Sequence, residues 1–253
     1  MYSLLALLLM IVLPLPMLIS GNTRGESPYR AILKGAIVTC GGIALLFVVS
    51  MLLGNSIITE LRTAVDSICH QLATNDQLAQ TFKLGDAGVT ERFEKYREIY
   101  NRILQLTPSS MMISALVISW IEGLIVGKRK TSEGEPHNPV PPMRTLQLPR
   151  GAVWGWLFIL LASWICKWAG ASFAPTLTAN VDILFELTFA LQGISLVLFF
   201  FYEKKIPKVV PILIVIVCWL MPMGLTLLFI VGLLDMMFPL RQRIVGRGNR
   251  EEK

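Results

Sequence analysis

With 253 residues, 54% of them hydrophobic and only 16% charged, and a mean hydropathy of +0.61, the chain has too little polar surface for a soluble globule, in which charged residues run at about 25%. Its formal net charge of +6 sits in short clusters that flank apolar runs. Such a composition belongs to an all-α polytopic transmembrane helix bundle, with the lipid bilayer as first partner and no nucleic-acid partner expected.

The first element is an apolar run from Leu4 to Ile19, and the second runs from Ile32 to Leu53. No basic cluster precedes the first run and Ser20-Gly21 is a poor cleavage signal, so residues 1–54 read as two retained transmembrane helices. Residues 55–108 differ. Ile57, Leu61, Val65, Ile68 and Leu72 recur at spacings of four, four, three and four, and Val89, Phe93, Tyr96, Tyr100 and Ile103 at four, three, four and three. Each set is one face of an amphipathic helix, and Gly85-Asp86-Ala87-Gly88 is a turn signal between them. The segment is therefore predicted to be an external amphipathic helical pair, with capping the bundle a simpler role than a dedicated partner site.

Met111 to Val126 makes residues 109–127 a third transmembrane helix. Residues 128–150 carry Pro136, Pro139, Pro141, Pro142 and Pro149 and are expected to form an extended, Pro-rich basic linker that separates two halves. Val153 to Phe173, Val181 to Tyr202 and Val209 to Phe238 then place the C-terminal transmembrane helices in residues 151–238, before a basic tail at 239–253. The last run cannot be one straight span. Its 30 residues would make a helix of about 45 Å against a hydrocarbon core of roughly 30 Å, and Met221-Pro222-Met223-Gly224 interrupts it midway.

Charge sets the expected orientation. Arg24, Arg30 and Lys34 follow the first run, Lys128, Arg129, Lys130, Arg144 and Arg150 lie in the linker, and Lys204, Lys205 and Lys208 follow Tyr202, which places these segments in the cytoplasm. Residues 55–108 instead hold six basic and seven acidic side chains and suit the outside. A hairpin through Pro222-Met223-Gly224 keeps the tail residues Arg241, Arg243, Arg247, Arg250 and Lys253 cytoplasmic. Counting both arms, this gives seven passes with the first residue outside.

Chemically reactive groups are few. Cys40, Cys69, Cys166 and Cys218 form no close pair, and His70 and His137 fall in different compartments, so no metal or cofactor is expected. Neither a phosphate-cradling glycine loop nor a nucleophile elbow is present, and no enzymatic activity is expected. What remains is a set of ionisable residues in or beside the apolar runs: Glu122, Lys167, Asp182, Glu186 and Asp235. Asp182 and Glu186, four apart, share a helix face that Gln192 nearly joins, so these three are the candidate ligand-binding residues of an outward pocket. For Asp182 alone, an interfacial position in water is the simpler reading. Glu122 beside Lys128-Arg129-Lys130, and Asp235 ahead of Arg241 and Arg243, are expected to serve as structural anchors. The tryptophans near run ends fit interfacial anchoring.

Several short motifs recur in a particular order: Pro142-Met143-Arg144 with Leu148-Pro149 and Trp154, Asn180 with Gln192-Gly193, Lys204-Lys205-Ile206-Pro207-Lys208, and Gly232-Leu233-Leu234-Asp235 with Arg241. In this succession the chain resembles the YybS-like family of predicted bacterial membrane proteins, from about the first cytoplasmic loop onward. Two departures stand out. Pro239-Leu240 occupies a place where the family carries a second acidic residue, and Leu13-Pro14-Leu15-Pro16 resembles a later span of longer members. The resemblance implies a multi-pass protein of a bacterial cell (inner) membrane and no assigned activity. It extends distantly to the substrate-binding membrane subunits of energy-coupling-factor transporters. The expected function is a small-molecule-binding or transport-associated membrane subunit with an unknown ligand, the rival being a non-catalytic scaffold or regulator that acts through membrane or cytoplasmic protein partners.

Overall fold

The computed structural model describes residues 2–52, 57–81, 87–128, 139–149, 151–221, 223–238 and 240–241, all helical or irregular, and divides between Val140 and Pro141 into two compact units. The molecule is an all-α, multi-pass membrane bundle. Five helical stretches among the described residues are long and apolar enough to cross a bilayer: Leu5–Thr23, Pro28–Leu52, Thr107–Val126, Gly151–Trp168 and Ala174–Glu203.

In the first unit, α1 (Tyr2–Val12) and α2 (Pro14–Thr23) together form the first stretch. Pro14 sits at the start of α2, where its missing N–H costs nothing, and Leu13 stays helical, so the chain kinks without breaking. α3 (Pro28–Leu52) and α7 (Thr107–Val126) pack with α2 around Leu18, Ala31, Ile32 and Val126. Small residues permit the approach: Gly21 lies against Ala31, Gly35 against Pro14 and Ser119, and Gly123 against Ile32. The turn from α2 to α3 uses Gly25 at φ +65, and beyond it Lys34 donates to Glu26 at 2.6 Å. That ammonium holds the Glu26 carboxyl below its ordinary value.

The helical pair is formed by α4 (Ile57–Ala73) and α6 (Val89–Gln105), with the short α5 (Asp76–Thr81) between them. Val65, Cys69, Ala73 and Tyr96 are its buried core, flanked by Leu72, Phe93, Tyr100 and Leu104. The contact covers only part of the two faces read from the sequence and extends to Ala73 and Leu104, near the ends of the two helices. Leu61, Ile68, Val89 and Ile103 lie outside it and are exposed, because α4 meets α6 along the 65, 69 and 73 positions. Buried Arg92 reaches back to Asp76 at 2.7 Å and ties α5 to α6, and the His70 ring stacks on Phe93 at 4.3 Å. Burial and the neighbouring Asp66 push the Cys69 thiol up, opposed by Arg97. Gly88 is extended at the start of α6, while Gly85 and Asp86 of the turn signal lie outside the described residues.

The second unit consists of a 3-10 turn at Met143–Thr145, then α8 (Gly151–Trp168), α9 (Ala174–Glu203), α10 (Val209–Leu220) and α11 (Gly224–Met237). Gly170 at φ +73 closes α8, and Lys205 at φ +56 closes α9 with its N–H on the Tyr202 carbonyl. α8 turns Trp154, Phe158 and Trp168 outward, as a lipid-facing helix does. α10 and α11 meet at a bend of 119°. At 12 and 14 residues these helices are about 18 and 21 Å long, too short for either to cross a core of roughly 30 Å. Among the described residues, length and composition therefore give five spans, or six if the bent pair is one span, where the charge pattern gave seven passes.

α11 packs on α9 and runs parallel to it, because partners rise together along both: Glu186 with Thr226, Phe189 with Gly232, Gln192 with Asp235. Gly193 and Gly232 bring the two backbones into contact. A Cβ on Gly193 would overlap the Leu228 carbonyl, and one on Gly232 the Phe189 carbonyl. Phe185, Phe189 and Phe229 fill the space beside this crossing with edge-to-face rings, and Trp156 adds a fourth.

Candidate functional site: a buried charged clasp

About five turns into α9, the chain places Gln192, Ser195 and Phe199 at spacings of three and four, so all three share one face. The end of α11 brings Asp235 to that face, and Arg241 follows six residues later. The irregular stretch 144–148 completes the ring with backbone groups. Arg241 Nε donates to Asp235 Oδ2 at 3.1 Å, and the two side chains are only 9% and 3% exposed. Gln192 Nε2 donates to the same Oδ2 at 2.7 Å.

The remaining donors of Arg241 are also used. One terminal nitrogen donates to the Arg144 carbonyl at 3.0 Å, and the other to the Leu146 carbonyl and to Ser195 Oγ, each at 3.0 Å. Ser195 Oγ in turn donates to the Leu146 carbonyl at 2.7 Å, and the Leu148 N–H donates to Gln192 Oε1 at 3.1 Å. The Arg241 guanidinium lies 5.4 Å from the centre of the Phe199 ring, and that of Arg144 3.8 Å from the centre of Tyr202. A buried ion pair survives only where such extra bonds satisfy its lone pairs and protons. Within 144–148 the N–H groups of Thr145 and Leu146 bond back to Pro142 and Met143, and the same clasp groups satisfy the Arg144 and Leu146 carbonyls and the Leu148 N–H.

This geometry separates the three candidate ligand residues. Gln192 is buried and committed to Asp235 and Leu148, whereas Asp182 is exposed, and half-buried Glu186 meets only the Thr226 hydroxyl, at 3.5 Å. Asp235 and Arg241 come together in the clasp. Glu122 lies elsewhere, on α7 of the first unit, and its Oε2 has no hydrogen-bond partner, while Lys128 is exposed. Arg129 and Lys130 lie outside the described residues. Sequence reasoning passed over Ser195 and the Leu146 and Leu148 backbone. The three-residue step from Gln192 to Ser195 was the available signal for the serine; nothing local marks the backbone groups. Among the described residues no cluster of three or more His, Cys, Asp or Glu could hold a metal.

The motifs that carried the family resemblance are therefore, in large part, the components of one cluster: Arg144, Leu148, Gln192, Gly193, Gly232, Asp235 and Arg241. Residues 1–236 match the family described as predicted membrane protein (DUF2232). The chain belongs to this family. The match starts at residue 1, so the first two helices fall within it as well as the chain beyond the first loop, and it stops short of Arg241. The chain is also similar to the uncharacterized protein YybS of Bacillus subtilis, with 27% identity over 225 residues that span 87% of this chain and 70% of the relative. No solved structure matches.

Proposed function

We propose that this protein is a non-catalytic subunit of a bacterial cell (inner) membrane that acts through partner contacts on its cytoplasmic face, with the Pro-rich stretch as the contact element. The observation that carries the reading is the Arg241 clasp, which spends a buried charge pair on holding the backbone of 144–148 against α9 and α11. A mere spacer between helices needs no such anchorage. The basic segments orient the clasp toward the cytoplasm. With α10 and α11 as a re-entrant pair, five spans and an outside first residue leave both the linker and the tail on that side. The Bacillus relative supports a bacterial membrane.

The test is purification of the full chain from its native membranes, comparing the parent with Arg241→Gln at matched yield and monodispersity. The reading expects a co-purifying protein that is retained by the parent and lost from the folded variant. Retention by both would sink it. The second reading, a small-molecule-binding or transport-associated subunit with distant likeness to energy-coupling-factor substrate-binding subunits, draws on Glu186, which is half-buried on a membrane helix and only weakly bonded. Under that reading, a small molecule co-purifies with the parent and is lost in Glu186→Gln with thermal stability preserved.

A further inference from the structure

We propose that Glu122 is a reversible proton-binding site inside the membrane-embedded part of the first unit, with Ser119 as its positioning partner. The proposal is independent of the reading above. Glu122 is 8% exposed, lies in the last two turns of the spanning helix α7, and its Oε2 has no hydrogen-bond partner. Ser119, one turn earlier on the same face, is fully buried, and its Oγ also lacks a partner. Two unpartnered polar groups side by side are unusual in a protein interior, where nearly all such groups are bonded.

Among the described residues, the surroundings bring no compensating charge. α1 and α2 carry none. On α3 the charged groups are Arg30 and Lys34, both exposed, with Lys34 bound to Glu26 at 2.6 Å; Tyr29 and Cys40 are its other titratable groups. α6 meets the opposite end of α7, where Arg102 pairs with Glu98 at 2.7 Å, and Lys128 beyond α7 is exposed. An ionised carboxylate left without a partner in such a place resolves its cost by taking a proton.

Size selects the ligand. Gly35 is packed on Pro14 and Ser119, Gly123 on Ile32, and no metal-binding cluster exists among the described residues. The adjoining cleft, lined by Leu18, Asn22, Glu26, Gly123, Val126 and Gly127 among others, measures about 20 Å³. That is room for about one water beside Gly123, the residue that follows Glu122 in α7, and too little for a hydrated cation or an organic ligand.

The experiment is labelling of the full chain in membranes with a hydrophobic carbodiimide, read by peptide mass spectrometry across pH. The protonated carboxyl adds across one C=N bond, and acyl migration to nitrogen leaves a stable N-acylurea that carries the whole reagent, with no leaving group. Labelling of Glu122 should fall about tenfold per pH unit above its midpoint, as expected for one titrating group. A water-soluble carbodiimide should label surface carboxyls such as Glu91 and spare Glu122. Ser119→Ala should retain labelling and move the midpoint, which a residue that only fills space would leave in place. Glu122→Gln should remove the adduct, and if that variant fails to fold, the parent's own pH profile carries the test. Absence of an adduct at every pH, a rate independent of pH, or suppression by sodium at fixed pH would each overturn the assignment, the last by making a metal cation the ligand.

Discussion

Asp235 and Glu122 are equally buried, at 8% exposure each, yet their surroundings are opposite. Asp235 receives Arg241 and Gln192 on one oxygen and sits where three segments of the second unit converge, whereas Glu122, in the first unit, is buried with an oxygen that has no hydrogen-bond partner. A buried acid thus has two outcomes, and the donors that reach it decide which. Where a guanidinium and an amide arrive, the acid becomes a structural member that cannot be removed alone. Where none arrives, it is left as a titrating group. The glycines of the two units differ in a related way. Those of the α9–α11 crossing press on backbone carbonyls that cannot yield, and Gly42 and Gly123 of the first unit press on the side chains of Leu13 and Ile32.

The sharpest way to break this contrast is to strip one partner from the clasp. Arg241→Met leaves Asp235 buried and unpaired and should cost about 3–5 kcal/mol, with most of it recovered in the double variant Arg241→Met/Asp235→Leu. Thermal unfolding in detergent checks both, and Glu122→Gln, which strands no partner, should sit near the parent in the same assay. Next in size, Gly232→Val drives a side chain into the Phe189 carbonyl and should cost about 3 kcal/mol, while Gly42→Ala should be close to neutral because Leu13 is able to move. Equal losses in yield and melting temperature for the two would erase the distinction between backbone and side-chain contact.

Smaller effects refine the picture. Lys205 closes α9 in the left-handed region, so Lys205→Gly should raise stability by about 1 kcal/mol, seen as a higher melting temperature. At the turn between α2 and α3, Glu26 is held below its ordinary value of 4.5 by Lys34. Its folded form thus binds its proton less readily than the unfolded chain, so its contribution is present above 4.5 and is lost as pH falls through the lower folded value. Unfolding followed from neutral to acid pH should show that loss in the parent and a shallower one in Lys34→Met.

Much of the architecture was legible in the chain because lipid forces every backbone group to be satisfied within its own segment, so a long apolar run has to be a helix. The spans, the break near Met221 to Gly224, and the amphipathic period of α4 and α6 all rest on such local rules. The pass count did not follow, since the two arms of the last run had to be measured as helices of 12 and 14 residues before their shortness showed. The part of each face that the helical pair buries was also beyond reach, because periodicity identifies a face and not the stretch of it that a neighbour covers. Gln192 illustrates the limit at the site. Its spacing from Asp182 and Glu186 reads as one polar face, but the acids that are neighbours in sequence stay apart from it, and its partners lie 43 and 44 residues away. Sequence by itself determined which residues enter the membrane and which of them carry charge there. Only the tertiary structure decided which of those charges find donors, because a hydrogen bond depends on separations of about 3 Å between segments whose distance along the chain says nothing of their distance in space.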